Sequence, residues 1–108
     1  MTGESNRSIE LVDDGHVVAV ADVEPVDGST VIRASLHTEA GHLPVGARAR
    51  LVDAVLDLGE TRQHRRLEAT LPLGDVEALE RLRARCEDVQ TRPAGATCLV
   101  DATLPHDD

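Results

Sequence analysis

Phenylalanine, tyrosine and tryptophan are absent from the 108 residues, and so is lysine, every one of the eleven basic residues being arginine. Each absence removes a class of chemistry. Without tyrosine there is no phenol to act as general acid, and without lysine no amine to form a Schiff base. No aromatic face is available to stack a nucleobase or a flavin. The core must be assembled from Val, Leu, Ile and Ala, of which the larger ones contribute at most ~1.5–3 kcal/mol each on full burial.

Other features are scarce rather than missing. Two cysteines, Cys86 and Cys98, are too few for a disulfide framework and lack the CxxC spacing of redox or zinc sites, so both are expected as buried free thiols. No stretch approaches the ~18 apolar residues of a membrane span, and Met1 to Arg7 has neither a basic nor an apolar signal region. A net charge of -9 repels phosphate backbones and anionic lipid, which argues against nucleic acid and membrane partners. The arginine-only, Ala/Val/Asp-rich usage is that of a GC-rich genome, and the expectation is a cytoplasmic bacterial protein.

What is present reads as one α/β domain over residues 9–104, between a flexible N-terminus (1–8) and a flexible tail (105–108). Ile9–Val12 and the β-branched run His16–Val23 flank the turn Asp13-Asp14-Gly15, and Thr30–His37 alternates as a third strand. Pro44 suits a first helical turn, Ala47, Leu51, Val55 and Leu58 recur at helical spacing, and Gly59 reads as the stop. Arg65–Leu71 alternates again, and Asp75 is placed to cap a helix with the apolar stripe Val76, Leu79, Leu82 and Cys86. On that helix Glu77–Arg81 and Glu80–Arg83 are favourably spaced surface pairs, and Arg81, Arg83 and Arg85 read as a solvated face. Val89–Arg92, a Pro93-Ala94-Gly95 turn and Thr97–Leu104 form a closing hairpin. The predicted order is β-β-β-α-β-α-β-β in a single mixed sheet, the fourth strand joining beside the third in parallel through a right-handed crossover.

The segment Leu43-Pro44-Val45-Gly46-Ala47-Arg48 and the Leu/Ala-rich helix after it, with Leu67-Glu68-Ala69-Thr70-Leu71 and the helix from Asp75 to Leu82, resemble the cofactor half of the GNAT superfamily of acetyl-CoA-dependent N-acetyltransferases. The resemblance covers about the last two thirds of the chain and rests on element order more than on identities. It implies that Val45, Gly46, Ala47 and Arg48 form a pyrophosphate loop of the form Q/R-x-x-G-x-G/A, which would hold acetyl-CoA or CoA. Gly46 matches the first glycine, Leu43 replaces Gln or Arg, and Arg48 replaces the last Gly or Ala. The strand and two helices of the family's acceptor side have no counterpart before Ile9, and Leu82 stands where the family often carries a general-acid Tyr. The expectation is therefore a truncated, non-catalytic relative with no catalytic residues of its own.

Other candidates are weaker. His37, Glu39 and His42 share one loop and could hold a divalent metal if His16 or His64 approached, although solvated loop histidines are the plainer reading. Ser35 and His37 face one side of a strand, with neither oxyanion hole nor orienting acid in sequence. Arg62-Gln63-His64-Arg65-Arg66 is the one basic cluster, either a balanced surface loop or a docking site for an anionic ligand or a second copy. The second strand is apolar on both sides, Val17, Ala19 and Ala21 against Val18, Val20 and Val23, so the sheet face opposite the helices is expected to need cover from a second subunit. Three functions follow: a non-enzymatic interaction or regulatory module acting as a homodimer, an acyl-CoA binder or acetyltransferase completed by another chain, and a metal-binding module.

Overall fold

The computed structural model describes residues 7–26, 28–38 and 44–105. A meander of β1 (Arg7–Asp13), β2 (His16–Pro25) and β3 (Val31–Thr38) leads into α1 (Ala47–Leu56) and the short α2 (Gly59–Arg62). Then come β4 (Arg66–Pro72), α3 (Val76–Arg85), β5 (Glu87–Ala94) and β6 (Thr97–Thr103). The six strands form one sheet in the order β1-β2-β3-β4-β6-β5. The predicted order of strands and long helices and the parallel β3/β4 junction are present, the other pairs being antiparallel.

Local chemistry accounts for the turns. Asp14 and Gly15 both have positive φ, the requirement of a two-residue turn whose twist matches its strands, and Asp13 pairs with His16 across it. The closing turn falls at Gly95-Ala96, one residue later than expected, because Ala94 pairs with Thr97 and Pro93 stays in β5. β5 is an edge strand, where a proline's missing N–H leaves no ladder bond unmade. Gly59 does not stop a helix: α1 ends on Asp57, whose N–H bonds to the Asp53 carbonyl, and Gly59 opens α2. Its φ is not positive, so it lacks the left-handed geometry of a terminating glycine. β1 begins at Arg7, two residues before the predicted strand.

Both long helices pack on the same sheet face and on each other. That face supplies Ala19, Ala21, Val23, Ile32, Ala34, Leu36, Leu67, Ala69, Leu71, Val100 and Ala102, all buried. α1 adds Leu51, Val52, Val55 and Leu56, and α3 adds Ala78 and Leu82. Small residues on β2 and β3 let α1 approach closely, which compensates for the lack of large rings. Val76 was expected in the α3 stripe but is 59% exposed, because the buried face of that helix centres on Ala78 and Leu82.

The opposite face carries mostly polar side chains. Cross-strand neighbours Glu24, Arg33, Glu68, Asp101 and Gln90 form one row across it, and Ser8, Asp22, Ser35, Thr70, Leu99 and Arg92 the next. Arg33 donates to Glu68 Oε1 at 3.1 Å, and Ser8 Oγ to Asp22 Oδ1 at 3.0 Å. Val18 and Val20 are half-buried among these groups, as isolated apolar side chains on a wet sheet face commonly are.

Candidate functional site

Among the described residues the one parallel strand pair is also where the register ends early. The β3/β4 register runs from Val31↔Arg66 to Ser35↔Thr70, yet β3 continues to Thr38 and β4 to Pro72. Beyond Ser35 and Thr70, at their carboxyl ends, no register pairs join the two strands. In open α/β sheets that end, at a switch of strand direction, is where ligands bind. α1 and α3 both begin there, so two helix N-termini face the same region.

The start of α1 carries the expected phosphate-binding residues. Gly46 is the N-cap at φ 83°, ψ -1°, a left-handed conformation natural to glycine, and it has no side chain with which to cap the helix. The Ala47 N–H bonds to the Pro44 carbonyl at 3.1 Å, and the Ala49 N–H, the donor that a capping side chain normally satisfies, bonds instead to Glu77 Oε2 of α3 at 2.9 Å. A carboxylate from the neighbouring helix thus sits where an anionic ligand would be held. Such a charge at a helix N-terminus is stabilising by roughly 0.3–1 kcal/mol.

A second acid closes the same corner. Asp75 caps α3 by accepting from the Ala78 N–H at 3.2 Å, and its other oxygen lies 3.4 Å from Arg48 Nε. That nitrogen is buried and, at this separation, is not aligned as a hydrogen bond. Of the four loop residues, Val45 is fully exposed, Ala47 is buried in the core, Gly46 shapes the turn, and Arg48 is turned toward α3. A pyrophosphate approaching Gly46–Ala49 would meet two carboxylates with one guanidinium already paired. The residues present fit that group poorly at its phosphate end.

Leu82, aligned with the general-acid position, is 2% exposed and packs into the core. Near the start of α3, Leu71, Leu73, Val76, Leu79 and Cys98 border a recess of about 80 Å³. It is apolar and too small for more than a short chain.

Of the metal candidates, His37, His16 and His64 lie among the described residues, and these three are not brought together. His37 projects from β3 with its Nε2 3.7 Å from Asp22 Oδ2, both side chains well exposed, while Glu39 and His42 lie outside the described residues. His64 precedes β4 and therefore lies at the opposite end of the parallel pair from His37. His16 is exposed at the start of β2. Among the described residues no group of three His, Cys, Asp or Glu side chains is placed to hold a metal. Ser35 and His37 share a strand face as expected, and the acid nearest His37 is Asp22, which is also the register partner of Ser35 on β2. The arginine cluster splits, Arg62 going to α2 and Arg66 to the head of β4. Both cysteines are free, but of the two only Cys86 is buried, and that burial pushes its thiol upward.

Sequence reasoning also missed the ion-pair network between the helices. Arg81 grips Asp53 with Nε and Nη2 at 2.7 and 2.9 Å, and Arg85 bridges Asp53 at 3.1 Å and Asp57 at 2.9 Å. Glu77 and Arg81 therefore do not pair along α3 but each reaches α1. The Arg81 and Arg85 bonds hold the Asp53 carboxyl below its ordinary value against the opposing effect of burial. A signal was available: two acids four apart on α1 match two arginines four apart on α3.

No family model matches the sequence, and no curated protein matches it. Solved structures do. A ribosomal-protein-alanine N-acetyltransferase from Brucella melitensis superposes with a TM-score of 0.64 at 13% identity, covering 93% of this chain and 69% of that one. An acetyltransferase of the GNAT family from Streptococcus pneumoniae gives 0.64 at 12% identity, covering 93% and 67%. A GNAT superfamily phosphinothricin acetyltransferase from Sinorhizobium meliloti, solved with acetyl-CoA, gives 0.63 at 14% identity, covering 92% of this chain and 61% of that one. At these identities the likeness is one of fold: the chain has the GNAT acetyltransferase fold and spans roughly two thirds of those proteins.

Proposed function

We propose that this protein is a non-catalytic GNAT-fold module that acts through protein contacts as a homodimer in the bacterial cytoplasm, its nucleotide-phosphate site closed by its own side chains. The observation that carries this reading is the 2.9 Å bond from the Ala49 N–H to Glu77. It uses the donor an incoming phosphate would need and places a like charge beside it. The lack of a phenol anywhere in the chain supports the same conclusion, since loss of a general acid costs ~10²–10⁴ in rate.

Titration calorimetry and thermal shift with acetyl-CoA and CoA test it on the wild type and on Glu77→Ala. The expected outcome is no binding to the wild type at about 1 mM ligand, with measurable heat once the carboxylate is removed. Micromolar binding to the wild type would sink this reading.

The second reading, acyl-CoA binding with or without transfer completed by another chain, is favoured by the end of the β3/β4 register at Ser35 and Thr70, which leaves the carboxyl ends of the two strands unpaired with each other. A pantetheine arm is a narrow chain with two amide groups, which suit backbone N–H and C=O groups left unpaired between strands. The same titration separates the two readings.

A further inference from the structure

Among the described residues five large apolar side chains are exposed: Val12, Val17, Val45, Leu73 and Val76. All five lie at one end of the molecule. Val12 and Val17 are register partners next to the β1/β2 turn, and β2 begins where β3 ends, since Ala19 pairs with Thr38. The parallel β3/β4 register carries that end to the close of β4, where Leu73 follows the strand and Val76 opens α3. Val45 leads into α1, which packs against β1, β2 and α3 and so places it between the hairpin and the start of α3. Single exposed apolar side chains are ordinary, but five gathered at one end, with none elsewhere among the described residues, mark an interaction surface.

Dimensions and charge define what covers this rim. From β1 to β4 is three strand spacings, about 14 Å, which is the length of a helix of about 10 residues. Strand ends, not a strand edge, face outward here, so a partner must pack by its side chains and satisfy its own backbone, as a helix does. Acids stand at both ends of the rim: Asp13 and Asp14 in the hairpin turn and Glu80 one turn after Val76 on α3, all exposed and none in a side-chain hydrogen bond or ion pair. Of the arginines at the start of α1, Arg48 is turned to Asp75, which leaves Arg50. Three carboxylates against one guanidinium, in a protein of net charge -9, favour a cationic partner.

We infer that this end of the molecule docks a basic amphipathic helix of a partner protein, its apolar stripe on the five exposed side chains and its cationic flanks on Asp13, Asp14 and Glu80. The inference rests on the reading that the protein acts through protein contacts, and it names the surface and the kind of partner.

The test is a ¹⁵N-correlation titration of the full chain with a synthetic helix of about 14 residues, leucines at spacings of three and four along one face and arginines on the rest. A scrambled peptide of the same composition, and one with glutamate for arginine, are the controls. The leucine and arginine helix should give saturable shifts at residues 12–17, 45 and 73–80 with a Kd of about 100 μM or tighter, and both controls should bind about tenfold more weakly or worse. Leu73→Ser combined with Val76→Ser should weaken binding about tenfold and leave thermal unfolding unchanged, since both side chains are exposed. Asp13→Asn combined with Asp14→Asn should weaken it and flatten its salt dependence. Absence of saturable shifts at about 1 mM helix overturns the inference. So does equal binding of the scrambled or the acidic peptide, or a response confined to the open sheet face. Self-association of the wild type that the Leu73→Ser, Val76→Ser change abolishes also overturns it, because the occupant is then a second copy. Acetyl-CoA binding to the wild type would instead overturn the reading beneath it, so the two failures are told apart.

Discussion

A single side chain shows how residue chemistry decides what this molecule can do. Glu77 follows the α3 cap by two positions, where an acid is favoured by its own helix dipole, yet its carboxylate is spent on the neighbouring helix. Asp53 is the comparable residue at the interhelix seam. Its carboxyl lies below its usual value of 3.8, first because Arg81 donates to it and then because Arg85 does, against the cost of burial. A carboxyl depressed in the folded state contributes stability in full above its unfolded pKa, and that contribution is lost as pH falls through the folded value. Asp53→Asn should therefore be less stable than wild type near pH 7, with the gap narrowing by about pH 3, as measured by urea unfolding at the two conditions. An unchanged gap would show that the arginine bonds do not favour the charged form.

At the scale of elements, the strands and both long helices were legible because period and punctuation agreed. Alternation in β3 and β4, the Asp-Gly turn after β1, and Asp75 before an apolar stripe each have a local cause, and each is found in the structure. What was not legible depended on contacts between elements. Gly59 reads locally as a stop, but the chain turns into α2 instead. The α3 arginines read as solvated because their partners are 28 and 32 residues away on α1. A helix beginning after Gly46 was legible in sequence, whereas the bond from the Ala49 N–H to Glu77 depends on α1 and α3 lying side by side. Asp75→Ala tests the α3 cap: it removes the bond from the Ala78 N–H and should cost about 1 kcal/mol in chemical denaturation. A loss well below ~0.5 kcal/mol would mean that the first turn of α3 is held by packing rather than by its cap.

The whole molecule presents two unlike faces, one sealed by helices and one open and polar. The centre of the six-stranded sheet falls between β3 and β4, where Arg33 and Glu68 are register partners. A two-fold axis along the strands would stack Arg33 of each copy over Glu68 of the other, which is the isologous arrangement a homodimer needs. The same axis brings Glu24 over Asp101, a repulsion eased by the ~30° rotation usual between stacked sheets. Such a dimer should be salt-sensitive. Thr70→Arg, in the middle of that face, should abolish it in sedimentation equilibrium while leaving thermal unfolding of the monomer nearly unchanged. A wild type that sediments only as monomer at micromolar concentration removes the dimer from the proposal.

The parallel seam also has a consequence for assembly. The strands on either side of it are built from neighbours in sequence, a three-stranded meander on one side and a strand with its hairpin on the other, and only five register pairs join them directly. Closing that seam requires the crossover through α1, so it carries the largest loop-closure entropy in the sheet. Under tension or partial denaturation the protein should part along β3/β4 first, like a book opening at its spine, with each cover still folded.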